Sequence, residues 1–445
     1  MKTFHQLLLN TLLALTTNNF VWFAMIFWVY LETRSVLATA VMGGSFMLMS
    51  AFSGLFFGHL VDHHKKKTVM MVSSLISLAG FSLATILYFA VSKAALLDLA
   101  DIWFWLFVFF ILGGAVAGNL RSIAIATTVT LLVPADRRDK ANGMVGTVNG
   151  VTFAITSVFS GLAIGFVGMD WSLGASVFMT LVAIAHLTTV KLEEKRVAAA
   201  DGSEPVTELD LKGTLKVIRS VPGLMALIFF ATFNNFLGGV FMSLMDAYGL
   251  SLVSVETWGM IWGFISFGFI AGGLYVARRG LGKSPLRTLF IVNIIMWIVC
   301  ILFPLKSSII ILTIGMLVYL TLIPVVEAAE QTIIQSVVPY ERQGRVFGFA
   351  QSIESAASPI TAFLIGPIAQ FWVIPFMSAG GVGAAWIGGW FGVGPERGMA
   401  LLFVVAGIIG LCVTLLAKAS RSYKILSSYK VKPVKHIEPT QEPII

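Results

Sequence analysis

Apolar runs, each about as long as a bilayer is thick, alternate with short polar breaks along almost the whole chain. A helix rises about 1.5 Å per residue, so about 20 mainly apolar residues cross the roughly 30 Å hydrocarbon layer. Windows of that size predict spans near 6–30, 37–60, 68–91, 102–131, 141–165, 170–190, 222–248, 256–277, 286–303, 308–337, 345–371 and 398–417. The pattern therefore predicts an all-α integral membrane protein with twelve transmembrane helices. One long charged break, KLEEKRVAAADGSEPVTELDLKGTLKVIR, begins at Lys191. It separates six spans in 1–190 from six in 222–417, and 418–445 follow as a basic tail. The linker, 191–221, is expected to carry a short amphipathic surface helix leading into Pro222, a good helix-starting residue. The opening run after Lys2 lacks a small-residue cleavage site and exceeds a leader's apolar core, so it is read as the first span.

The two halves echo each other. LTTNNFVW in the first span, with Asn18, Asn19 and Phe20, matches ATFNNFLG in the seventh, with Asn234, Asn235 and Phe236, at an offset of 216 residues. LVPADRRDKANGM before the fifth span matches VVPYERQGRVFGF before the eleventh, pairing Pro134 with Pro339 and Gly143 with Gly348 at an offset of 205. Matching Asn, Pro and Gly at corresponding helix positions points to a parallel repeat about an axis along the membrane normal, giving two pseudo-symmetric six-helix bundles.

Composition sharpens this picture. The 445 residues are 57% hydrophobic and 12% charged, with a mean hydropathy of +0.90, outside the range of a water-soluble domain. With the N-terminus in the cytoplasm, all but Arg34, Lys93, Arg121, Lys306 and Arg397 of the 30 Lys and Arg residues fall on the cytoplasmic side, both termini included. The net charge of +8 is spread as short collars beside spans, which suits anionic lipid headgroups and gives no nucleic-acid module. Cys300 and Cys412 form no metal or redox spacing and are expected as small buried residues. No Gly-Lys-Ser or Gly-Lys-Thr phosphate loop occurs, so an ion gradient is the expected energy source, and no cofactor is expected.

Four acids interrupt the apolar runs: Asp246 near the outer end of the seventh span, Glu327 and Glu330 in the tenth, and Glu354 in the eleventh. A charge at the bilayer centre costs about 2.5–3.5 kcal/mol on insertion scales, so each needs a wet cavity, a partner or a proton. Glu330 stands nine residues before Pro339 and Glu354 nine after Arg345, which sets both about 14 Å from the inner ends of neighbouring helices. Glu327 shares a helix face with Glu330, and carboxylates this close oppose double ionisation. These four are the candidate proton-exchanging residues, with sodium as the alternative ion. A purely structural role, fixing the tenth helix to Arg121, the one basic residue at depth, or to the eleventh helix, is the competing reading.

The loop after the second span reads GHLVDHHKKKTVM. Gly58 permits close backbone approach, Asp62 can accept from a facing helix N-terminus, and Lys65, Lys66 and Lys67 would anchor at the inner surface. Asp62, His63 and His64 are too close in sequence to converge on one ion, so no metal centre is expected. This loop resembles the signature between the second and third helices of the major facilitator superfamily, with Gly58 and Asp62 as motif residues, His63 in place of the usual Arg, and Lys66 and Lys67 as the terminal basic pair. LVPADRRDKANGM, VVPYERQGRVFG, IGPIAQFWVIPFM and GVGPERGMALLFVVAGIIG are similar to the drug-efflux branch that includes macrolide and siderophore exporters. The Gly-rich stretch 378–398 resembles that branch's outer loop.

The resemblance implies that Asp62 latches the loop to the start of the eleventh span and to a basic residue near the fourth and fifth, Arg137 or Arg138. It also implies that the first, fourth and seventh spans line a central cavity, which makes Asn18, Asn19, Trp22, Arg121, Asn234, Asn235, Phe236 and Met242 candidate substrate contacts. Aromatic rings and thioethers suit bulky amphiphiles. The expected function is proton-coupled efflux of amphipathic small molecules by a monomer in a bacterial inner membrane. Export or flipping of one endogenous amphiphile, such as a siderophore or lysolipid, is the alternative, and a membrane-embedded lipid-processing enzyme is a third.

Overall fold

The computed structural model describes residues 2–33, 36–192, 194 and 211–429; most of the linker and of the basic tail lie outside them. Among the described residues, twelve helices are long and apolar enough to cross a membrane. They are α1 (Lys2–Thr33), α2 (Val36–His63), α3 (Lys66–Ala90), α4 (Ile102–Leu132), α5 (Arg138–Phe166), α6 (Met169–Thr189), α7 (Leu224–Leu250), α8 (Val255–Arg279), α9 (Pro285–Leu302), α10 (Ile309–Val337), α11 (Gln343–Ile368) and α12 (Pro395–Ala419). Polar residues start several of them: the side chains of Asp101, Ser254 and Ser284 accept from main-chain N–H groups in the first turns of α4, α8 and α9. Large apolar side chains cover the outside, with Phe52, Phe166 and Phe363 more than three-quarters exposed, a surface suited to lipid and not to water.

The helices form two bundles of six, α1–α6 and α7–α12. The internal repeat is visible in the backbone. Ala135–Arg137 and Tyr340–Arg342 are both single 3-10 turns after a proline with φ near −55°, and each leads into a long helix, α5 and α11. The bundles meet along two seams, α2 with α11 and α5 with α8.

Glycines set how closely those seams approach. Near the end that carries the α2–α3 and α10–α11 loops, the basic end, a side chain on Gly58 would collide with the Gly344 carbonyl, and one on Gly348 with the Gly54 carbonyl. In the other seam, side chains on Gly150 and Gly273 would likewise collide with the backbones of Ile270 and Thr147. About three to five turns further along the same helix flanks lie Gly43, Gly161, Gly259 and Gly366, and among the described residues none of these has an atom of another helix within 4 Å of where a side chain would begin. The bundles are therefore closed at the basic end and parted at the other, leaving a cleft between them.

Shorter helices complete the fold. Leu211–Ser220 precedes α7 with Val217 and Ile218 buried, and Arg421–Ser428 follows α12. The Gly-rich stretch forms an apolar helix, Val382–Phe391. α11 contains Pro359 and Pro367 and continues through a π turn, Ala369–Val373, and the turn Ile374–Met377 with Pro375. Cys300 is buried as expected, but Cys412 is exposed on the flank of α12.

Candidate transport site

The three-residue spacing in VEAAEQ puts Glu327 and Glu330 on one flank of α10, and Glu354 approaches them from α11. Glu330 and Glu354 lie close enough to act electrostatically on each other, and Glu327 on both. Among the described residues, the charged groups near these carboxyls are one another, with no lysine or arginine among them. One oxygen each of Glu330 and Glu354 is buried with no hydrogen-bond partner, an arrangement that proteins seldom keep without a role for it. Asp246 is not part of this group. It stands near the open end of α7, where its Oδ1 accepts from the indole N–H of Trp258 and of Trp262, both at 3.0 Å.

Above the acids, the two Asn pairs divide their labour. Asn234 is turned into its own bundle, where its side chain accepts from Trp297 at 2.9 Å. Asn18 is 3% exposed and lies against Gly118 of α4. Asn235 is exposed and Asn19 half-buried, so the second member of each pair is the one nearer the cleft. The Ser358 hydroxyl donates to the Asn235 carbonyl, one turn from Glu354. Phe236 packs beside Phe233, and its carbonyl accepts from Thr361. Trp22 is buried and stacks on Phe46 at 5.0 Å, while Met242 is 70% exposed.

Arg121 does not join the carboxylates. Its guanidinium is 1% exposed and donates to Asn10 Oδ1 at 2.6 Å, to the Met70 carbonyl at 2.9 Å and to Ser74 Oγ. Asn10 in turn donates to the Ala183 carbonyl. The residue ties α1, α3, α4 and α6 together inside the first bundle and faces no cavity contact expected of it.

At the basic end, Asp62 caps α11: Oδ1 accepts from Gly344 N at 2.7 Å and Oδ2 from Arg345 N at 2.9 Å, with the Arg345 side chain at 3.4 Å. The latch to the eleventh span is present, but its basic partner is Arg345 and not Arg137 or Arg138. Arg137 is exposed beside Asp136 at 3.9 Å, and Arg138 donates to the carbonyls of Thr130, Val133 and Gln335. Lys66 and Lys67 were expected at the lipid surface. Lys66 is buried, its ammonium donating to the Val61 carbonyl and lying over the Tyr340 ring, and Lys67 donates to the carbonyls that end α6. His63 and His64 each bond a carbonyl one turn back and share no common point.

Sequence reasoning missed two further ties. Asp139 accepts from Leu281 N at 2.8 Å, joining the start of α5 to the end of α8 as Asp62 joins α2 to α11. Asn142 and Gln335 exchange amide hydrogen bonds at 2.9 and 3.1 Å across the bundles, with Thr332 and the Ala126 carbonyl completing the set. The available signal was an amide, Gln335, inside an apolar span, and two polar residues in LVPADRRDKANGM that the matching motif lacks.

Comparison with known proteins fits this architecture. The family model described as Major Facilitator Superfamily matches residues 7–362. Macrolide efflux protein A of Streptococcus pyogenes is 22% identical over 369 residues, covering 81% of this chain and 88% of that protein. Among solved structures, a bacterial homologue of the iron transporter ferroportin in its outward-facing state superposes with a TM-score of 0.67 at 13% identity, over 94% of this chain and 100% of that one. The proton:xylose symporter XylE gives 0.64 at 12%, over 92% and 95%, and the human organic anion transporter MFSD10 gives 0.63 at 13%, over 92% and 99%. At such identities these structures speak for the fold alone. With the family's model matched over most of its length, and with twelve helices in two six-helix bundles, this chain belongs to the major facilitator superfamily of membrane transporters.

Proposed function

We propose that the protein exports bulky amphipathic small molecules in exchange for protons, by alternating access in a bacterial inner membrane. The excess of Lys and Arg at one end supports a cytoplasmic location for that end and for both termini. In that orientation the cleft opens outward and the Asp62, Asp139 and Asn142–Gln335 ties form the inner closure. The observation that carries the reading is the carboxyl group cluster of Glu327, Glu330 and Glu354, set between cleft and closure with no lysine or arginine among the described residues beside it. Carboxyls gathered this closely oppose full ionisation of all three, so the cluster has a place for the coupling ion. Release of that proton inward, when the bundles rock, would complete the exchange. The named similarity to a macrolide efflux protein supports the substrate type.

The test is purified protein in liposomes under an imposed pH gradient, with dyes, macrolides, siderophores and lysolipids offered while internal pH is followed. Directional movement of dyes or macrolides with opposite proton flux is expected, and Glu330→Gln and Glu354→Gln should each abolish the proton flux. Unchanged flux in Glu327→Gln, Glu330→Gln and Glu354→Gln overturns the coupling. Movement confined to one siderophore or lysolipid assigns the protein to a single endogenous amphiphile.

A further inference from the structure

The acid that stands apart, Asp246, has a setting of its own. Around α7, Asn234 and Phe241 face Trp297, Tyr248 faces Phe403, and Gly239 packs against Ser358 of α11. What is left is one stripe at spacings of seven and four residues, Asn235, Met242 and Asp246, and all three are exposed. That stripe is flanked by α11, through Ser358 to Asn235, and by α8, through Trp258 and Trp262 to Asp246. α8 and α11 are the two helices of this bundle that form the seams, so the stripe between them faces the cleft.

Asp246 lies eleven residues beyond Asn235, about 16 Å nearer the open end. Both indole N–H groups bond the same oxygen, Oδ1, which fixes the carboxylate and leaves Oδ2 without a donor among the described residues. No lysine or arginine among the described residues pairs with it. One turn deeper, the Met242 thioether offers a soft, polarisable contact. At the matching place of the repeat, 216 residues earlier on α1, stands Tyr30, 41% exposed, an aromatic ring on the facing bundle. A fixed carboxylate oxygen, a thioether and aromatic rings form a surface that attracts a large, weakly hydrated cation and repels an anion of the same shape.

We infer that Asp246, oriented by Trp258 and Trp262 and backed by Met242, is a binding site in the cleft mouth for organic cations, separate from the Glu327–Glu330–Glu354 cluster. The inference rests on the transport reading for the cleft but not on protons.

The probes are tetraphenylphosphonium and tetraphenylborate, ions of like shape and opposite charge, measured by equilibrium binding to the protein in lipid nanodiscs. The wild type should bind the cation about tenfold or more tightly than the anion, and Asp246→Asn should weaken cation binding by about tenfold while leaving the anion unmoved. Asparagine keeps an oxygen for both indoles, and Asp246→Glu, which restores the charge, should recover part of the preference. Cation binding unchanged in Asp246→Asn, or a fall for both ions together, overturns the assignment. Because no pH gradient is applied, loss of proton coupling and loss of this site are seen separately.

Discussion

Among the described residues no carboxylate meets Arg121, and three hydrogen bonds to α1 and α3 take the place of one. Removing the guanidinium strands Asn10, Ser74 and the Met70 carbonyl, at about 1–3 kcal/mol for each buried group left unpaired. Arg121→Met is therefore expected to lower the unfolding temperature of the solubilised protein markedly, while the fraction that folds keeps its ligand affinity; a stable variant with abolished binding would restore a cavity role. Asn142 and Gln335 make a second prediction, because their amides satisfy each other across the bundles. Asn142→Ala should weaken the basic-end closure by about 1–3 kcal/mol, read as a longer distance between spin labels at positions 65 and 341. A double variant with Gln335→Leu should recover part of it, since both polar groups are then gone. At this scale the sequence was legible where spacing alone decides, as with Glu327 and Glu330. It was not legible for Arg121, whose depth was plain but whose direction on α4 depends on which neighbours supply acceptors.

The four seam helices show what elements contribute. Each carries small residues at helical spacing, and the same flank is buried at one end and bare at the other. Substitutions at the two ends should therefore act in opposite senses. Gly348→Val meets the Gly54 carbonyl and is expected to pry the basic end apart, whereas Gly366→Val has room in this state and should block closure of the other end. The same pair of spin labels should lengthen in the first variant and stay put in the second; lengthening in both would mean that the glycines serve stability and not access. The number and order of the spans were readable from hydropathy because the bilayer fixes their length. The repeat was readable from Asn, Pro and Gly because those residues dictate local geometry, as the twin 3-10 turns confirm. Which helices form the seams was not readable, because apolar side chains facing lipid and those facing another helix are chemically alike.

For the whole molecule, the two halves place different chemistry on one plan. Asp62 and Asp139 tie equivalent seams, yet among the described residues only Asp62 gains an ion pair, with Arg345. Asp62→Ala should accordingly open the basic end more than Asp139→Ala, a difference that accessibility of a cysteine placed at Thr332 would register; equal effects would assign the latch to backbone capping alone. All three carboxylates of the deep cluster belong to the second half, and the corresponding helices of the first half, α4 and α5, hold none at depth. The deep acidic cluster is thus one-sided, while the cleft is built by both.

The same inequality extends to stiffness. Among the four seam helices only α11 carries prolines, and its far end passes through a π turn, features that remove main-chain hydrogen bonds and let a rod flex. α5 and α8 contain no proline and are single α-helices throughout, so they are the stiffer pair. When the mouth shuts, the bend should concentrate near residues 367–375, so one lip folds over while the other pivots whole, and occlusion arrives from a single side.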